Sequence, residues 1–369
     1  MRFWIVGGGT GGHVYPALAA AQALLNIKPS VKLTWIGGIG GMETQLVERA
    51  AIPFHAIPAG GIHGVGPVKA ASNALKLLRA FVEIWRYMRS EHPDALLTTG
   101  GYISAPLTLA AWLQRIPILV YLPDIEPARS FRLAGRFATR IATTVEASRT
   151  FLPAEKVIVT GYPLRKELMH WERSTARRAL SLPDEGPVLL VFGGSRGARS
   201  INRAVLAHLS ELLALAHVVH ISGQLDWPEV SAAAEALKEQ ESRRYHSFPY
   251  LYSKEMGAAL ASADLVLSRA GASTLGEFPY FGLPAILVPY PYAWHYQRVN
   301  AQWLAERGAA LLVEDADLPQ VLMATVQALL QDKERLSQMA GAAQALACPD
   351  AASKLAEILI NLNRKSKNG

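Results

Sequence analysis

The chain alternates short apolar runs with longer stretches whose apolar positions recur at helical spacing. Runs at 3–6, 31–36, 54–57, 95–98, 118–121, 141–144 and 157–160 are dominated by Leu, Ile, Val and aromatic residues. Short runs of this kind read as strands buried on both faces, as in a parallel sheet. Between them lie helical stretches at 14–25, about 42–50, 68–90, and from the Gly100-Gly101 turn to Trp112. After a polar segment at 163–184 the pattern restarts with a strand at 187–192 and a helix at 199–214. Strands at 217–221, 265–267 and 285–288 follow. The alternation predicts two α/β, Rossmann-like doubly wound domains facing a cleft, 1–162 and 185–350, joined by a linker at 163–184. A last helix near 351–363 is expected to pack back on the first domain, ahead of a basic tail.

Composition adds limits to this outline. With 369 residues, 50% of them hydrophobic and 18% charged, the chain can build two cores. A single cysteine rules out an intrachain disulfide framework and fits a reducing compartment. The apolar start is too short for a signal peptide, and no stretch reaches the roughly 18 apolar residues of a spanning helix, so a soluble chain is expected. The net charge of +7 points to anionic partners. No zinc-ligand spacing or ribonucleoprotein motif is present, so nucleic acid is not expected. Residues 68–90 place Leu75, Leu78, Val82 and Trp85 near helical spacing among Lys69, Lys76, Arg79, Arg86 and Arg89. That pattern suits a helix lying on an anionic membrane, and equally a core-facing helix with a solvated basic face.

Candidate chemistry gathers at the turns. Gly7, Gly9 and Gly12 match G-x-G-x-x-G, the dinucleotide fingerprint. A nicotinamide enzyme also places an acid at the end of the second strand to hold the ribose. Here that strand ends in Gly37-Gly38, and the nearest acid, Glu43, lies in the next helix, so an oxidoreductase lacks half its signature. A glycine turn before a helix still binds phosphate through backbone N–H groups, and Gly193–Ala198 repeats the arrangement. In 265–301, an apolar run leads into Ala270-Gly271-Ala272-Ser273-Thr274 and a helix bearing Glu277. A carboxylate there accepts from both hydroxyls of a ribose, whereas an ordinary βα unit would carry a solvated Glu. Gln297-x-x-Asn300-Ala301 follows.

Taken together, GGGTGGHVYPALA (7–19), TTGGYISAP (98–106), GYPLR (161–165), GGSRGARSIN (193–202), SRAGASTLGE (268–277) and QRVNA (297–301) resemble the MurG family. The resemblance spans residues 7–301 and rests on the set and order of the motifs. It implies a GT-B fold and inverting transfer of N-acetylglucosamine from UDP-N-acetylglucosamine to undecaprenyl-pyrophosphoryl-muramyl-pentapeptide, with no metal and no cofactor. It also implies a peripheral place on the cytoplasmic membrane face, with Trp85 and Arg86 in the docking surface. Carried over, Arg165, Ser195 and Asn202 would serve the donor, with Ala272, Ser273, Thr274, Leu275 and Gly276 along the diphosphate and ribose. Glu277 would hold the ribose hydroxyls and Gln297 the sugar. Thr10, Gly11 and Gly12 would bind phosphate, of the nucleotide sugar or of the acceptor, with Gly9 and Tyr102 on the acceptor side. His13 would be the base that takes the acceptor hydroxyl's proton.

One segment departs from the family. Tyr121-Leu122-Pro123-Asp124 stands where the family carries His-Glu-Gln-Asn, which makes Asp124, or Glu126 just after it, a second candidate to act as base or position the acceptor. The departure leaves open an enzyme acting on another lipid acceptor such as diacylglycerol. A non-catalytic nucleotide-sugar-binding subunit is the third reading.

Overall fold

The computed structural model describes residues 1–369 apart from 10, 42, 59–66, 102, 195–196, 293–295 and 367–369. For 67–74, 77, 129–130 and 363–366 it describes the backbone alone. The chain forms two compact units: Met1–Arg165 with the chain from Pro349 onward, and Lys166–Cys348.

In the first unit the apolar runs become β1 (Arg2–Val6), β2 (Lys32–Gly38), β3 (Phe54–Ile57), β4 (Ala95–Thr98), β5 (Ile118–Leu122), β6 (Arg140–Thr143) and β7 (Val157–Val159). They make one parallel sheet in the order β3-β2-β1-β4-β5-β6-β7. The crossovers are α1 (Gly11–Ile27), α2 (Glu43–Arg49), α3 (Pro67–Glu91), α4 (Ser104–Leu113) and α5 (Arg129–Phe137). Side chains alternate across the pleat. Phe3, Ile5 and Trp35 face a core shared with α1, whereas Trp4, Val6 and Ile36 face one shared with α3 and α4. The helix Ala351–Ser366 packs on α1 and adds Leu355, Ala356 and Leu359 to the first of these cores. Helix α1 starts three residues before the expected position. Pro16 therefore falls in its second turn, where it cannot bond to the Gly12 carbonyl.

The second unit holds β8 (Val188–Phe192), β9 (His217–Ile221), β10 (Tyr245–Phe248), β11 (Leu265–Ser268), β12 (Ala285–Leu287) and β13 (Ala310–Leu312). They form a parallel sheet in the order β10-β9-β8-β11-β12-β13, the doubly wound order of dinucleotide-binding folds. The apolar pattern had not announced β10 or β13. The first is an edge strand carrying His246 and Ser247, and the second spans only three residues. The helix expected at 199–214 breaks at His208 into Arg199–Ala207 and Leu209–Leu215. The stretch 163–184 is more than a linker. Its helices Lys166–Met169 and Arg173–Ala179 pack on Ser253–Ser262. There Arg177 is buried, bonding to Asp264 at 3.1 Å and to the carbonyls of Pro183, Asp184 and Gly186.

Candidate active site

In open parallel sheets ligands settle beyond the carboxyl ends of the strands where the strand order reverses. That point lies between β1 and β4 in the first unit and between β8 and β11 in the second. The loops leaving those four strands carry four of the six sequence motifs, while GYPLR follows β7 and QRVNA follows β12.

In the first unit the loop after β1 turns through Gly9 at a φ of 86°, a conformation open to glycine. Gly11 and Gly12 open α1, so their N–H groups have no helical acceptor. The loop after β4 lies against this turn: a Cβ on Gly101 would come within 2.7 Å of the Gly8 carbonyl. Thr99 donates its hydroxyl to the His13 carbonyl at 2.6 Å. The half-buried His13 ring lies 5.8 Å from the Phe131 ring, centroid to centroid. Burial pushes its pKa below the ordinary histidine value, and a hydrogen bond to the Gly8 backbone opposes that shift. A bond that favours the charged ring is one the ring donates, so the Gly8 carbonyl is the acceptor. The other nitrogen of the neutral ring is then the proton acceptor.

Glu43 is fully buried and accepts from Gly38 N at 3.0 Å and Gly9 N at 3.4 Å. Sunk beneath the glycine turn, it cannot reach a ribose, so the geometry agrees with setting the oxidoreductase reading aside. In the departing segment Tyr121, Leu122 and Pro123 are all buried. The Tyr121 hydroxyl pairs with Thr144 Oγ1 at 2.8 Å, and Thr144 donates to the Pro123 carbonyl at 2.7 Å. The change of sequence is thus a change of core packing. Asp124 is half-buried after β5, and Glu126 pairs with Arg132 at 3.3 Å. Arg165, buried in this first unit, stacks 3.7 Å above the Tyr15 ring. Thr10 and Tyr102 lie outside the described residues, as does Ser195 in the second unit.

In the second unit Gly197 lies so close to the β9 loop that a Cβ would fall 2.2 Å from the Ser222 carbonyl. Asn202 holds that contact. Its amide donates to Ser222 O at 2.8 Å and Asp226 Oδ2 at 2.9 Å, and its oxygen pairs with His220 Nε2 at 3.0 Å. Both amide hydrogens are used inside the fold, so the Asn202 side chain shapes the glycine loop.

Across the reversal, Ala270–Ser273 lead into the helix Thr274–Phe281, and Thr274 Oγ1 donates to the Gly271 carbonyl at 2.8 Å. Phe278 meets Phe192 edge-on at 6.1 Å, locking this helix to the end of β8. Thr274, Leu275, Gly276 and Glu277 thus share the first turn of one helix, with Ala272 and Ser273 directly before it, and Glu277 is buried. Two residues that the sequence left without a role hold this turn. Arg269 binds the Val288 and Pro289 carbonyls, Ser200 and Asp315, while Asn300 donates to the Ala270 carbonyl at 3.1 Å. Asp315-Ala316-Asp317 has the spacing of a metal-binding pair, but Asp315 is committed to Arg269 at 2.5 Å. The Gln297 oxygen accepts from Tyr290 N at 3.0 Å, leaving its amide nitrogen as donor.

His220 also pairs with Tyr245 at 2.7 Å, and burial lowers its pKa to about 4. The unfolded chain takes up this proton near pH 6.5, so between pH 6.5 and 4 it binds more protons than the native state. Stability contributed by a neutral His220 is complete above pH 6.5 and falls by about 1.4 kcal/mol per pH unit below it. Urea denaturation at pH 7, 6 and 5 should show this slope, reduced in His220→Gln. Equal slopes in the two proteins would refute the assignment.

The basic helix divides into two faces. Ala80, Ile84 and Met88 enter the core, whereas Leu75 is 51% exposed, Leu78 60% and Val82 43%, among exposed Lys76, Arg79, Arg86 and Arg89. The outer face is therefore apolar as well as basic, beyond what a solvated face needs. Trp85 does not share it. Half-buried, it packs on the core and its carbonyl accepts from Gln114. Among the described residues no helix is long and apolar enough to cross a membrane, and no three His, Cys, Asp or Glu side chains group to hold a metal ion.

Known proteins share this arrangement. Residues 3–143 match the glycosyltransferase family 28 N-terminal domain and 188–355 its C-terminal domain. The UDP-N-acetylglucosamine–N-acetylmuramyl-(pentapeptide) pyrophosphoryl-undecaprenol N-acetylglucosamine transferase of Roseiflexus sp. (strain RS-1) is 41% identical, over 98% of this chain and 95% of its own length. The protein of the same name from Desulforudis audaxviator is 39% identical over 99% of both. The crystal structure of Acinetobacter baumannii MurG superposes with a TM-score of 0.75 at 27% identity, covering 98% of this chain and 99% of that one. A UDP-GlcNAc 2-epimerase from Neisseria meningitidis reaches a TM-score of 0.72 at 16% identity over 98% and 100%, a likeness of fold alone. Both sheets, both glycine turns and the full length of the sequence agree: the chain belongs to glycosyltransferase family 28, in its MurG branch, with the GT-B fold.

Proposed function

We propose that this chain transfers N-acetylglucosamine from UDP-N-acetylglucosamine to undecaprenyl-pyrophosphoryl-N-acetylmuramyl-pentapeptide, with inversion and without a metal, as a step of peptidoglycan synthesis. The observation that carries the reading is the pair of glycine turns, each running into a helix where its own sheet reverses order. Both substrates of this reaction are diphosphates, and a helix N-terminus behind a glycine turn holds a diphosphate through N–H groups and dipole. The second unit takes the donor, with the turn at 270–274 along the diphosphate, Glu277 on the ribose hydroxyls and Gln297 donating to the sugar. Arg165 adds positive charge for the leaving UDP. The first unit takes the acceptor diphosphate at Gly9, Gly11 and Gly12.

In the transfer step the acceptor oxygen forms a bond to C1 of the sugar as the C1–O bond to UDP breaks. The hydroxyl proton passes to His13, and UDP leaves with the bonding pair. Burial favours the neutral ring of His13, the form that can take up a proton. Leu75, Leu78 and Val82, ringed by basic side chains, suit docking on an anionic lipid surface, as a peripheral protein of the cytoplasmic membrane face.

The test is transfer of labelled sugar to a short-chain analogue of the muramyl-pentapeptide lipid with EDTA present. Product is expected under these conditions and not with diacylglycerol as acceptor. Measurable UDP binding without product on the muramyl lipid would overturn the acceptor assignment.

A further inference from the structure

A chain of buried polar side chains that the transfer step does not use runs through the second unit, from the edge of its sheet to its glycine turn. Tyr245 on β10 pairs with Val218 on β9, so its side chain shares a face of the sheet with His220, two residues further on. Asn202 reaches the same ring from the helix Arg199–Ala207, and all three side chains are buried. The bonds fix one direction along the chain. The Asn202 amide donates to the Ser222 carbonyl at 2.8 Å and to Asp226 Oδ2 at 2.9 Å, which leaves its oxygen facing His220 Nε2 at 3.0 Å. An amide oxygen only accepts, so Nε2 carries the ring proton. Nδ1 of the neutral ring is then the acceptor, and the Tyr245 hydroxyl donates to it at 2.7 Å.

Apolar side chains of the same shape would fill this part of the core with little loss of stability, so what the hydrogen bonds add is a fixed geometry. That geometry is delivered at the carboxyl ends of the strands. In the sheet order β10-β9-β8-β11 the chain of bonds runs from the edge strand toward the reversal. Its last link is Asn202 on the Ser222 carbonyl, the atom against which Gly197 packs with no room for a Cβ. The Asn202 backbone N–H bonds to the Ala198 carbonyl and closes the first helical turn, and the N–H groups before it have no acceptor within the helix. Strands β8 and β11 are neighbours, so this turn and the one at 270–274 leave adjacent strands. We propose that His220, held by Tyr245, is a positioning residue for the donor diphosphate. It fixes Asn202, and with it the glycine turn and first helical turn that the diphosphate meets. The inference rests on the second unit taking the donor.

His220→Leu removes the N–H that Asn202 accepts and leaves the amide oxygen buried and unpaired, whereas His220→Gln can place an N–H in the same spot. In the full chain, His220→Leu should raise the Kd for UDP roughly tenfold, the effect of one buried group left unsatisfied. The KM for the nucleotide sugar should rise with it, while kcat and the KM for the muramyl lipid stay as in the wild type. His220→Gln should recover most of the UDP affinity. Wild-type UDP affinity in His220→Leu, whatever its melting temperature, would make the chain of bonds merely structural and overturn the proposal. A wild-type measurement stands apart from any variant and decides the matter if the leucine protein does not fold. In ring-labelled protein the His220 Nε2–H resonance should shift as UDP is added, and a resonance indifferent to saturating UDP would refute the link. Glu277→Ala separates the two ideas. Wild-type UDP affinity there removes the donor assignment and this inference together, whereas weakened binding there with an indifferent His220→Leu removes this inference alone.

Discussion

His13→Ala should lower kcat for sugar transfer by about 10²- to 10⁴-fold, the range that a positioned general base contributes. UDP affinity should hardly change, because His13 belongs to the first unit and Glu277 and Gln297, which hold the ribose and the sugar, to the second. The acidic limb of the wild-type kcat profile should lie below the pH at which free histidine titrates, since burial lowers the pKa of His13. Activity is then present at neutral pH and is lost as falling pH protonates the ring. Asp124→Asn provides the comparison. Asp124 stands half-buried at the end of β5, and the buried Tyr121, Leu122 and Pro123 before it leave it as the departing segment's one acid. If Asp124→Asn abolishes transfer while His13→Ala spares it, the base is Asp124 and the proton route must be redrawn.

Glu277→Ala should weaken UDP binding by about 1.5–3 kcal/mol, the worth of hydrogen bonds to a charged group. That corresponds to roughly 10- to 150-fold in Kd by calorimetry. The carboxylate is buried in the first turn of Thr274–Phe281, a helix pinned by Phe278 on Phe192 and by Asn300 on the Ala270 carbonyl. A ligand reaching this turn meets a charge already fixed in place, so little ordering is needed on binding. Glu277→Gln keeps one acceptor oxygen and should lose less. An unchanged Kd for UDP in Glu277→Ala would remove the ribose assignment and with it the main reason for placing the donor there.

Much of the fold is written locally. A short run such as Phe3–Val6 declares itself a strand because its neighbours on both faces are apolar, and the glycine turn after it ends the strand within the same few residues. The missed strands had no such signal: Tyr245–Phe248 is an edge with polar side chains, and Ala310–Leu312 is too short to show a period. Trp85 shows the same limit. Helical spacing puts it beside Val82, but only packing against Phe81 and the neighbouring helix decides that its ring turns inward.

The amino-acid sequence by itself determined the two α/β units, the position of both glycine turns, the carboxylate at Glu277 and the basic face of 68–90. All of these depend on residues within one or two turns of each other. Only the tertiary structure decided what lies behind them: Glu43 under a turn 34 residues away, Asn202 spent on the β9 loop, Arg269 tied to Asp315 across 46 residues. Those bonds depend on strand order and register, which bring distant loops to one end of a sheet and appear in no local pattern.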